Sequence, residues 1–280
     1  MPPIHMESHL QDTRYTSEEK ERFKNYLTDK LYQYGWSVNR QEYYLATVCK
    51  NPEVTLSAHF DTGKTLPWYV TKFYELFGYQ RWVYLPACGL VFLLLLALWV
   101  PVITLPVLLL LAIQLLTRRK NPFNCNDNTS GVMILLEVAK RVPDLQGRVQ
   151  LVFTDEEENG RKGAKQYSKK KPKLLLNFDT VGLGDILIIS TNKENPPPEL
   201  LQALDAGKYR IIVKKHFSNS DYREFDNGIG FAFVEESFLK GGFYLPNAHT
   251  VKDQIIGSDN IVWLVSGIVK FVSFLQKKGA

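Results

Sequence analysis

Short apolar runs recur along this chain, and glycine or polar residues interrupt them at intervals typical of strands. The runs Val54–His59, Val149–Thr154 and Leu174–Asp179 are rich in aliphatic and β-branched residues, so each predicts a buried strand. Further strands are predicted near residues 36–48 and at Ile186–Ser190, Tyr209–Val213 and Phe231–Val234, and a turn is predicted at Asn195–Pro198.

Stretches with helical spacing lie between these runs. Thr16–Gly35 predicts an amphipathic helix, because Thr16 and Glu19 fit a capping box at its start. Other helices are predicted from Asn128 or Thr129 to Arg141 and from Asp259 to Lys277. The alternation of strands and helices predicts an α/β domain with a mixed sheet.

One apolar block does not fit this alternation. Between Arg81 and Arg118 the chain carries no charged residue, and Pro101 divides Trp82–Thr117 into pieces of 19 and 17 residues. As helices these pieces are about 28 and 25 Å long, near the short end of what spans a bilayer. We predict two membrane helices with a turn near Val100–Pro106. A re-entrant hairpin and an apolar oligomer surface are the alternatives.

The residues before this block are rich in aromatic side chains from Trp68 to Tyr84, which favours a position at a membrane interface over ordinary core packing. Composition adds little else. The net charge of +5 is mild and spread along the chain, so nucleic acid is not indicated as a partner. Three cysteines without framework spacing suit a reducing compartment, and we expect no cleavable signal peptide because the first residues lack an apolar run.

Side chains of the types that bind zinc follow several of the predicted elements. His59 ends a strand, and Asp61, two residues later, is an acceptor that can orient a metal-bound imidazole. Asp127 stands before a predicted helix. Its ordinary interpretation is a helix cap, but its two oxygens can also bridge two metal ions.

The acidic run Asp155–Glu158 also follows a strand, where four adjacent acids are costly unless cations offset their repulsion. An exposed acidic turn is the alternative interpretation. Asp179 ends another strand, and His249 lies in a polar loop. Each motif is weak alone, but five ligand types in this order indicate a pair of zinc ions and a hydrolytic reaction.

On these motifs the chain resembles the clan MH zinc exopeptidases, the family of the bacterial leucyl aminopeptidases, aminopeptidase Y and glutamate carboxypeptidase II. The resemblance spans about Val54 to Asp253, and Ser220-Asp221 with Phe225 is similar to a further block that lines the family's active-site pocket. The shared motifs are His-x-Asp at His59, Asp-Asn-x-Ser-Gly at Asp127, a Glu-Glu pair before Gly160 and Gly163, Asn-x-Asp-x-x-Gly at Asp179 and His-Thr-x-x-Asp at His249.

The resemblance implies a three-layer α/β/α fold with a central mixed sheet, two Zn²⁺ ions and a role for each site residue. Asp127 would bridge the ions, and Glu157 would act as general base, with Glu156-Glu157 as the alternative register for the acidic pair. Tyr222 stands where the family often has His, which leaves the chemistry of the substrate pocket open. Glu158 and His249 would complete one metal site, His59 and Asp179 the other, and Asp61 would orient His59.

These residues predict a membrane-anchored aminopeptidase that hydrolyses peptides with a free N-terminus. A glutaminyl-cyclase-like transferase with one zinc and an inactive membrane scaffold or receptor of the same fold are the alternatives. The peptidase domain would comprise residues 1–66 and 118–280, with residues 67–117 inserted and residues 82–117 in contact with lipid. Because His59 and Asp127 must meet, both ends of the apolar block would lie on one side of the membrane, and the positive flanks favour the cytoplasmic side.

Overall fold

A computed structural model describes residues 7–78, 101–204 and 207–278, together with the single positions 89 and 94. Within these residues a nine-stranded sheet has the order β1-β2-β4-β3-β5-β8-β6-β7, and β9 pairs with β8. The strands are β1 Val38–Arg40, β2 Tyr44–Thr47, β3 Val54–His59, β4 Val149–Thr154, β5 Leu175–Phe178, β6 Ile186–Thr191, β7 Arg210–Lys215, β8 Gly228–Glu236 and β9 Phe243–Tyr244.

Four neighbouring strands in the middle of the sheet, β4, β3, β5 and β8, run parallel. The strands outside this group add antiparallel pairs, β2 with β4 and β6 with β8, so the sheet is mixed as predicted. Parallel strands end at the same edge of a sheet. Any polar side chains that follow β3, β4 and β5 are therefore brought together there.

Helices cover both faces of the sheet. The larger core lies on one face, where the helices Ser17–Gln33, Ser130–Arg141, Pro198–Leu204 and Ser258–Lys278 contribute buried side chains. A smaller cluster on the other face includes Ala164 and Tyr167 of the helix Lys162–Ser168. The predicted α/β fold with a central mixed sheet is thus confirmed.

Most of the predicted elements occur with boundaries shifted by a few residues. The capping box of Thr16 and Glu19 is formed, and the region near residues 36–48 divides into the hairpin of β1 and β2. Asn128, rather than Thr129, bonds to the first turn of its helix, because its Oδ1 accepts from the N–H of Gly131.

Three elements differ from the prediction. A helix begins at Pro198, because proline suits the first turn of a helix. The predicted turn Asn195–Pro198 therefore ends where this helix starts. β8 begins at Gly228 and ends at Glu236, longer than the predicted run at both ends. The short helix Lys162–Ser168 was missed, since its one polar turn gives no apolar period.

The region of the predicted insertion contains two described helices. The aromatic stretch forms the helix Trp68–Phe77, and the second apolar piece forms the helix Pro101–Leu116. The first apolar piece, residues 82–100, lies outside the described residues except for positions 89 and 94. The predicted turn is wrong from Pro101 onward, because the helix already includes Pro101 and continues through Pro106.

Among the described residues, one helix is long and apolar enough to cross a membrane, Ser258–Leu275. Side chains of this helix such as Leu264 and Ile268 are fully buried in the larger core. Length and composition alone do not separate a membrane span from a core helix. The helix segment Leu105–Leu116 is more apolar but shorter, and most of its large side chains are exposed.

Candidate metal centre

The candidate metal ligands meet at the carboxyl edge of the parallel strands. His59 is the last residue of β3, Asp179 directly follows β5, and the acidic run follows β4. Asp127 lies just before the helix Ser130–Arg141, with a cis peptide bond between it and Asn128, and His249 lies in the loop after β9. The four strand and helix ends come from distant parts of the sequence, so only the topology of the sheet brings them together.

One group of ligands lies deep in the molecule and consists of His59, Asp127 and Asp179. His59 Nε2 lies 3.3 Å from Asp127 Oδ1 and 3.6 Å from Asp179 Oδ1. The side chain of His59 is only 1% exposed. We call this group the inner half of the centre.

A second group lies nearer the surface and consists of Asp127, Glu158 and His249. His249 Nε2 lies 3.4 Å from Asp127 Oδ2, and His249 Nδ1 lies 3.8 Å from Glu158 Oε1. We call this group the outer half. Asp127 belongs to both halves and turns a different oxygen to each, which is the arrangement that a bridging carboxylate requires.

The donor atoms fit divalent metal ions. In each half, one ligand atom from each of three residues lies within 4.8 Å of the others, and these are the two such groups among the described residues. Imidazole nitrogen and carboxylate oxygen are ligands that zinc takes. In each half one imidazole and two carboxylates are present, so a divalent cation would offset the surplus of negative charge.

The electrostatics of the free side chains show the same surplus. Burial by itself lowers the pKa of His59, but the carboxylates of Asp127, Asp179 and Asp61 raise that pKa well above its usual value. Burial raises the pKa of Glu158 to about 7, and the nearby carboxylate of Asp127 adds to this rise. A bound cation would remove both effects by favouring the deprotonated carboxylates and the neutral imidazoles.

Asp61 contacts both the acidic run and His59. Its Oδ1 accepts a hydrogen bond from the backbone N–H of Glu157 at 3.0 Å, and its Oδ2 accepts one from Glu158 at 3.1 Å. Asp61 Oδ1 also lies 3.4 Å from His59 Nδ1, an ion-pair contact rather than a well-formed hydrogen bond. Asp61 therefore contacts residues of both halves, which the spacing His-x-Asp alone did not indicate.

The acidic run divides into residues that face the centre and residues that do not. Asp155 and Glu156 pair with Lys20, and Glu156 also pairs with Lys162. Burial raises the pKa of Glu156, but its bonds to Lys20, Asn159 and Lys162 lower it to about 2 overall. Glu156 is therefore engaged away from the ligands, which favours Glu157 and Glu158 as the functional pair.

Glu157 and Glu158 line one cavity with the ligands Asp127, Asp179 and His249. Burial raises the pKa of Glu157 well above its usual value, and the carboxylates of Glu158 and Asp179 raise it further, whereas His59 lowers it. A carboxyl group with a raised pKa beside the centre is suited to accept and return a proton. The cavity has a volume of about 230 Å³ and also contacts Arg161, whose guanidinium pairs with Glu224.

Two polar side chains to which the sequence assigned no role at the centre support the backbone around it. Asp253 accepts hydrogen bonds from the backbone N–H groups of Asn126 and Asp127. Asn128 donates to the carbonyl oxygen of Phe178 at 2.9 Å and to that of His59 at 3.4 Å, so it links the ends of β3 and β5. Asp253 stands in the His-Thr-x-x-Asp motif, and that position was the only sequence signal for this role.

A glycine and a buried acid complete the surroundings of the centre. A Cβ atom at Gly63 would overlap the carboxylate of Glu158 and lie 2.6 Å from His249 Nδ1, so the outer half requires glycine there. Asp221 is fully buried, accepts a hydrogen bond from Thr154 at the end of β4, and has a pKa that burial raises to about 7.

A second cavity, of about 330 Å³, adjoins the outer half. Glu158 and His249 line it, together with Leu66, the last residue before the predicted insertion, and Tyr74, which belongs to the insertion. Leu66 also donates a backbone hydrogen bond to the carbonyl oxygen of His249 at 2.8 Å. The segment that leads into the apolar block is thus part of the site.

Comparisons with known proteins give one family match and a shared fold. The model of peptidase family M28 matches residues 117–263, which is more than half of the chain. No curated protein matches the chain by sequence.

Solved structures share the fold at low sequence identity. A leucine aminopeptidase precursor from Bacteroides thetaiotaomicron is 16% identical, with a TM-score of 0.59, over 93% of this chain and 90% of that one. A glutaminyl cyclase from the same organism, bound to N-acetylhistamine, is 14% identical, with a TM-score of 0.61, over 94% of this chain and 92% of that one. A zinc aminopeptidase from Bacillus subtilis is 14% identical, with a TM-score of 0.51, over 83% of this chain and 49% of that one. At these identities the likeness shows the fold alone.

Proposed function

Because the chain belongs to peptidase family M28, we propose that it is a membrane-anchored di-zinc aminopeptidase. The observation that carries this proposal is the pair of ligand groups that share Asp127, one oxygen to each half. In this proposal His59 and Asp179 hold one zinc ion, Glu158 and His249 hold the other, and Asp127 bridges them. When bound, the two ions would supply Lewis-acid polarisation of the scissile carbonyl and would lower the pKa of water.

The chain's own residues supply the proton transfer. Glu157 lies in the cavity that the ligands line, and burial raises the pKa of its carboxyl group well above the usual value. Glu157 would take a proton from the attacking water and return a proton to the departing amine. Asp61 holds the backbone of Glu157 and Glu158, so it would keep base and ligand in a fixed relation.

Aminopeptidase specificity is the mode that we propose. Of the four carboxylates that line the cavity over the centre, Asp127, Glu158 and Asp179 would hold zinc, so Glu157 is the free carboxylate that the α-ammonium group of a substrate would meet. Lys64 and Arg118 lie in the wall of the second cavity and would suit a substrate carboxylate instead. A panel of free, N-blocked and C-blocked peptides separates the two modes, since an aminopeptidase should fail only on the N-blocked set.

Glutaminyl-cyclase-like chemistry is the second candidate, because a glutaminyl cyclase shares the fold over nearly the whole chain. A cyclase would convert N-terminal glutamine to pyroglutamate without releasing an amino acid. The two ligand groups favour two metal ions and hydrolysis. Mass spectrometry of a Gln-initiated peptide after incubation distinguishes the products.

The decisive test of catalysis is Glu157→Gln compared with the wild-type protein. We expect kcat to fall about 10²- to 10⁴-fold, because a general base is lost. Zinc content should stay at two ions per chain, since Glu157 is not a ligand. The proposal fails if purified wild-type protein holds no stoichiometric zinc, or if a chelator leaves peptide hydrolysis intact. An inactive scaffold or receptor would hydrolyse no peptide.

We propose that residues 67–117 form an insertion in a peptidase domain of residues 1–66 and 118–280, and that residues 82–117 anchor the protein in a bilayer. The two ends of the insertion meet beside the centre, where Lys64 and Lys120 form a β-bridge and Thr65 N–H donates to Arg119 O at 2.9 Å. The exposed side chains of the helix Pro101–Leu116 support contact with lipid, for example Leu109 at 61% and Leu116 at 85%.

Orientation and substrate choice follow from this anchoring. We propose that the catalytic domain faces the cytoplasm, because Arg118, Arg119 and Lys120 flank the apolar block. Protease treatment of sealed vesicles should then leave the domain intact in right-side-out preparations. Since the insertion lines the second cavity, membrane-associated or apolar peptides should be preferred. Replacement of residues 82–117 by a short polar linker should reduce the rate on lipid-associated peptides more than on soluble ones.

A further inference from the structure

The loop between β8 and β9 exposes two large apolar side chains that lie far from the insertion in sequence. Phe238 is 79% exposed and Leu239 is 50% exposed. The loop itself is ordered by its own hydrogen bonds, since Ser237 N–H donates to Gly242 O and Lys240 N–H donates to Ser237 O, both at 2.9 Å. Two adjacent large apolar residues at the tip of an ordered loop indicate a contact surface.

The loop is seated on the end of the helix Trp68–Phe77. Phe238 N–H donates to Glu75 O at 2.9 Å, and Leu239 N–H donates to Leu76 O at 3.0 Å. Gly242 packs so closely that a Cβ atom there would overlap Phe77 O. These contacts fix the loop against the last turn before the chain enters the apolar block.

The distance along the chain from this contact to the apolar block is short. Three residues lie between Gly78 and Trp82, so the four Cα–Cα steps that join them span at most about 14 Å when fully extended. The aromatic helix also touches the second apolar helix, because Tyr69 Oη donates to Leu111 O at 3.0 Å. A bilayer that contains residues 82–117 must therefore lie within reach of the loop.

We propose that Phe238 and Leu239 insert into the interfacial region of the bilayer as a second lipid contact of the catalytic domain. This proposal rests on the anchoring by residues 82–117 given above. The occupant is lipid, because the loop is continuous with the surface from which the apolar block begins. The only basic residue of the loop, Lys240, is followed by Gly241, whose N–H donates to the carboxylate of Glu236, so the loop carries no surplus positive charge and the contact depends on apolar side chains and not on attraction to anionic headgroups.

The second contact would fix the tilt of the domain. An anchor at the ends of the insertion alone allows the domain to pivot about residues 64–67 and 118–120. The loop holds the end of the helix Trp68–Phe77, and Tyr74 of that helix lines the cavity beside the outer half. A loop inserted in the interface would therefore keep the mouth of that cavity close to the membrane surface.

The test uses the full-length protein in phosphatidylcholine vesicles, with an environment-sensitive NBD fluorophore at position 239. Leu239→Cys is made together with Cys49→Ser and Cys88→Ser, so that the new thiol is labelled. Val213→Cys in the same background is the matched control, because Val213 is 43% exposed on the outer strand β7. We expect the emission at position 239 to shift to the blue and to be quenched by lipids that carry a spin label near the headgroup. The control label should do neither, and added phosphatidylserine should change neither result.

A second readout uses the unlabelled variant with both Phe238→Ser and Leu239→Ser, with Val213→Ser as its control. The double variant should hydrolyse a soluble peptide at the wild-type rate and should lose several-fold on the same peptide attached to a lipid. If the protein floats with vesicles and hydrolyses the soluble peptide while the label at position 239 stays in water, the loop contact is wrong and the anchored peptidase stands. If the protein does not float with vesicles, the anchoring and the loop contact are both overturned.

Discussion

The inner and outer halves of the centre use the same kinds of side chain in different surroundings. His59 ends a central strand that has neighbours on both sides, and its side chain is 1% exposed. His249 lies in a loop, has a left-handed backbone with φ of 56°, and is 30% exposed. The sheet therefore fixes the inner half, whereas loops assemble the outer half, and one of those loops leads into the apolar insertion.

This difference assigns different tasks to the halves. The inner half depends on the fold, because β3 and β5 position His59 and Asp179 directly. The outer half depends on contacts among Gly63, Lys64, Leu66 and the loop of His249. We therefore expect that changes in the inner half also cost stability, while changes in the outer half alter metal binding with little effect on folding.

The largest effect is expected from Asp127→Asn, because Asp127 belongs to both halves. Asparagine keeps the size of the side chain but removes its charge and one acceptor oxygen. We expect peptide hydrolysis to fall to background and zinc content to fall below one ion per chain, measured by elemental analysis after gel filtration. Retention of two zinc ions would show that the halves do not share this residue.

The next largest effect is a difference in stability between the variants His59→Ala and His249→Ala. Removal of His59 leaves a cavity and unpaired carboxylates in the interior, which should cost about 3 kcal/mol of unfolding free energy in the zinc-free protein. Removal of the half-exposed His249 should cost less than about 1 kcal/mol. Urea unfolding in the presence of a chelator measures both. Equal losses of unfolding free energy for the two variants would contradict this difference, since they would mean that both halves lie in the same environment.

Gly63→Ala should disrupt the outer half without removing a ligand. The added methyl group would overlap the carboxylate of Glu158 and crowd His249. We expect the protein to keep one zinc ion and to lose the other, as measured by competition with a colorimetric chelator. Gly147→Ala is the matched control, because a Cβ atom there meets nothing within 4 Å. Retention of both ions by Gly63→Ala would show that the outer half tolerates a displaced Glu158 carboxylate.

Asp61→Asn tests whether one residue couples the halves. The amide keeps one acceptor for the backbone N–H groups of Glu157 and Glu158 but weakens the hold on His59. We expect metal affinity to fall about 10- to 100-fold, as for other residues that orient metal ligands. Asp144→Asn, on the exposed surface, should leave affinity unchanged. A loss confined to one of the two ions would mean that Asp61 serves a single half.

The smallest effect concerns pH and chelation. In the metal-free protein burial raises the pKa of Glu158 to about 7 from an ordinary value of 4.5, and that of Asp221 to about 7 from 3.8. The unfolded chain releases these protons first, so the stability of the metal-free protein falls as pH rises from about 4 to about 7. Bound zinc favours the deprotonated form of Glu158. It therefore offsets the part of this loss of stability that comes from Glu158.

Chelation should therefore lower the Tm more at pH 8 than at pH 6, and we expect the difference to be about 2–4 °C. Thermal scans by circular dichroism with and without a chelator measure it. A larger effect of the chelator at pH 6 would contradict the raised pKa of Glu158.

The strands and the order of the ligands could be predicted from the sequence because they depend on local patterns. The apolar runs of β3 and β4 have the expected bounds, and the alternation of elements indicated the mixed sheet. The helix Lys162–Ser168 and the strand β9 could not be predicted in this way. They are short, and contacts with other elements stabilise them rather than a period of their own: the helix packs in the smaller cluster, and β9 pairs with the end of β8.

At the candidate metal centre, too, roles that depend on tertiary contacts could not be predicted from the sequence. The sequence indicated the types of the five ligands, because residues after strand ends are recognisable one motif at a time. Asp253 and Gly63 were not assigned any role, since an acid in a loop and a glycine after a strand are ordinary on their own. Their roles follow from their contacts with Asp127 and with the outer half, which are formed by residues far apart in the chain.

By itself the sequence determined the α/β fold class, the M28-like order of candidate ligands and the presence of a long apolar block, because each is a pattern of neighbouring residues. The tertiary structure alone decided which acids of the run at Asp155–Glu158 face the centre, how Asp127 presents one oxygen to each half, and that the loop of Phe238 rests on the helix before the apolar block. The physical reason is that these contacts join residues 68 to 163 positions apart in the chain, and only the folded structure brings such segments within the few ångströms over which ligands and hydrogen bonds act.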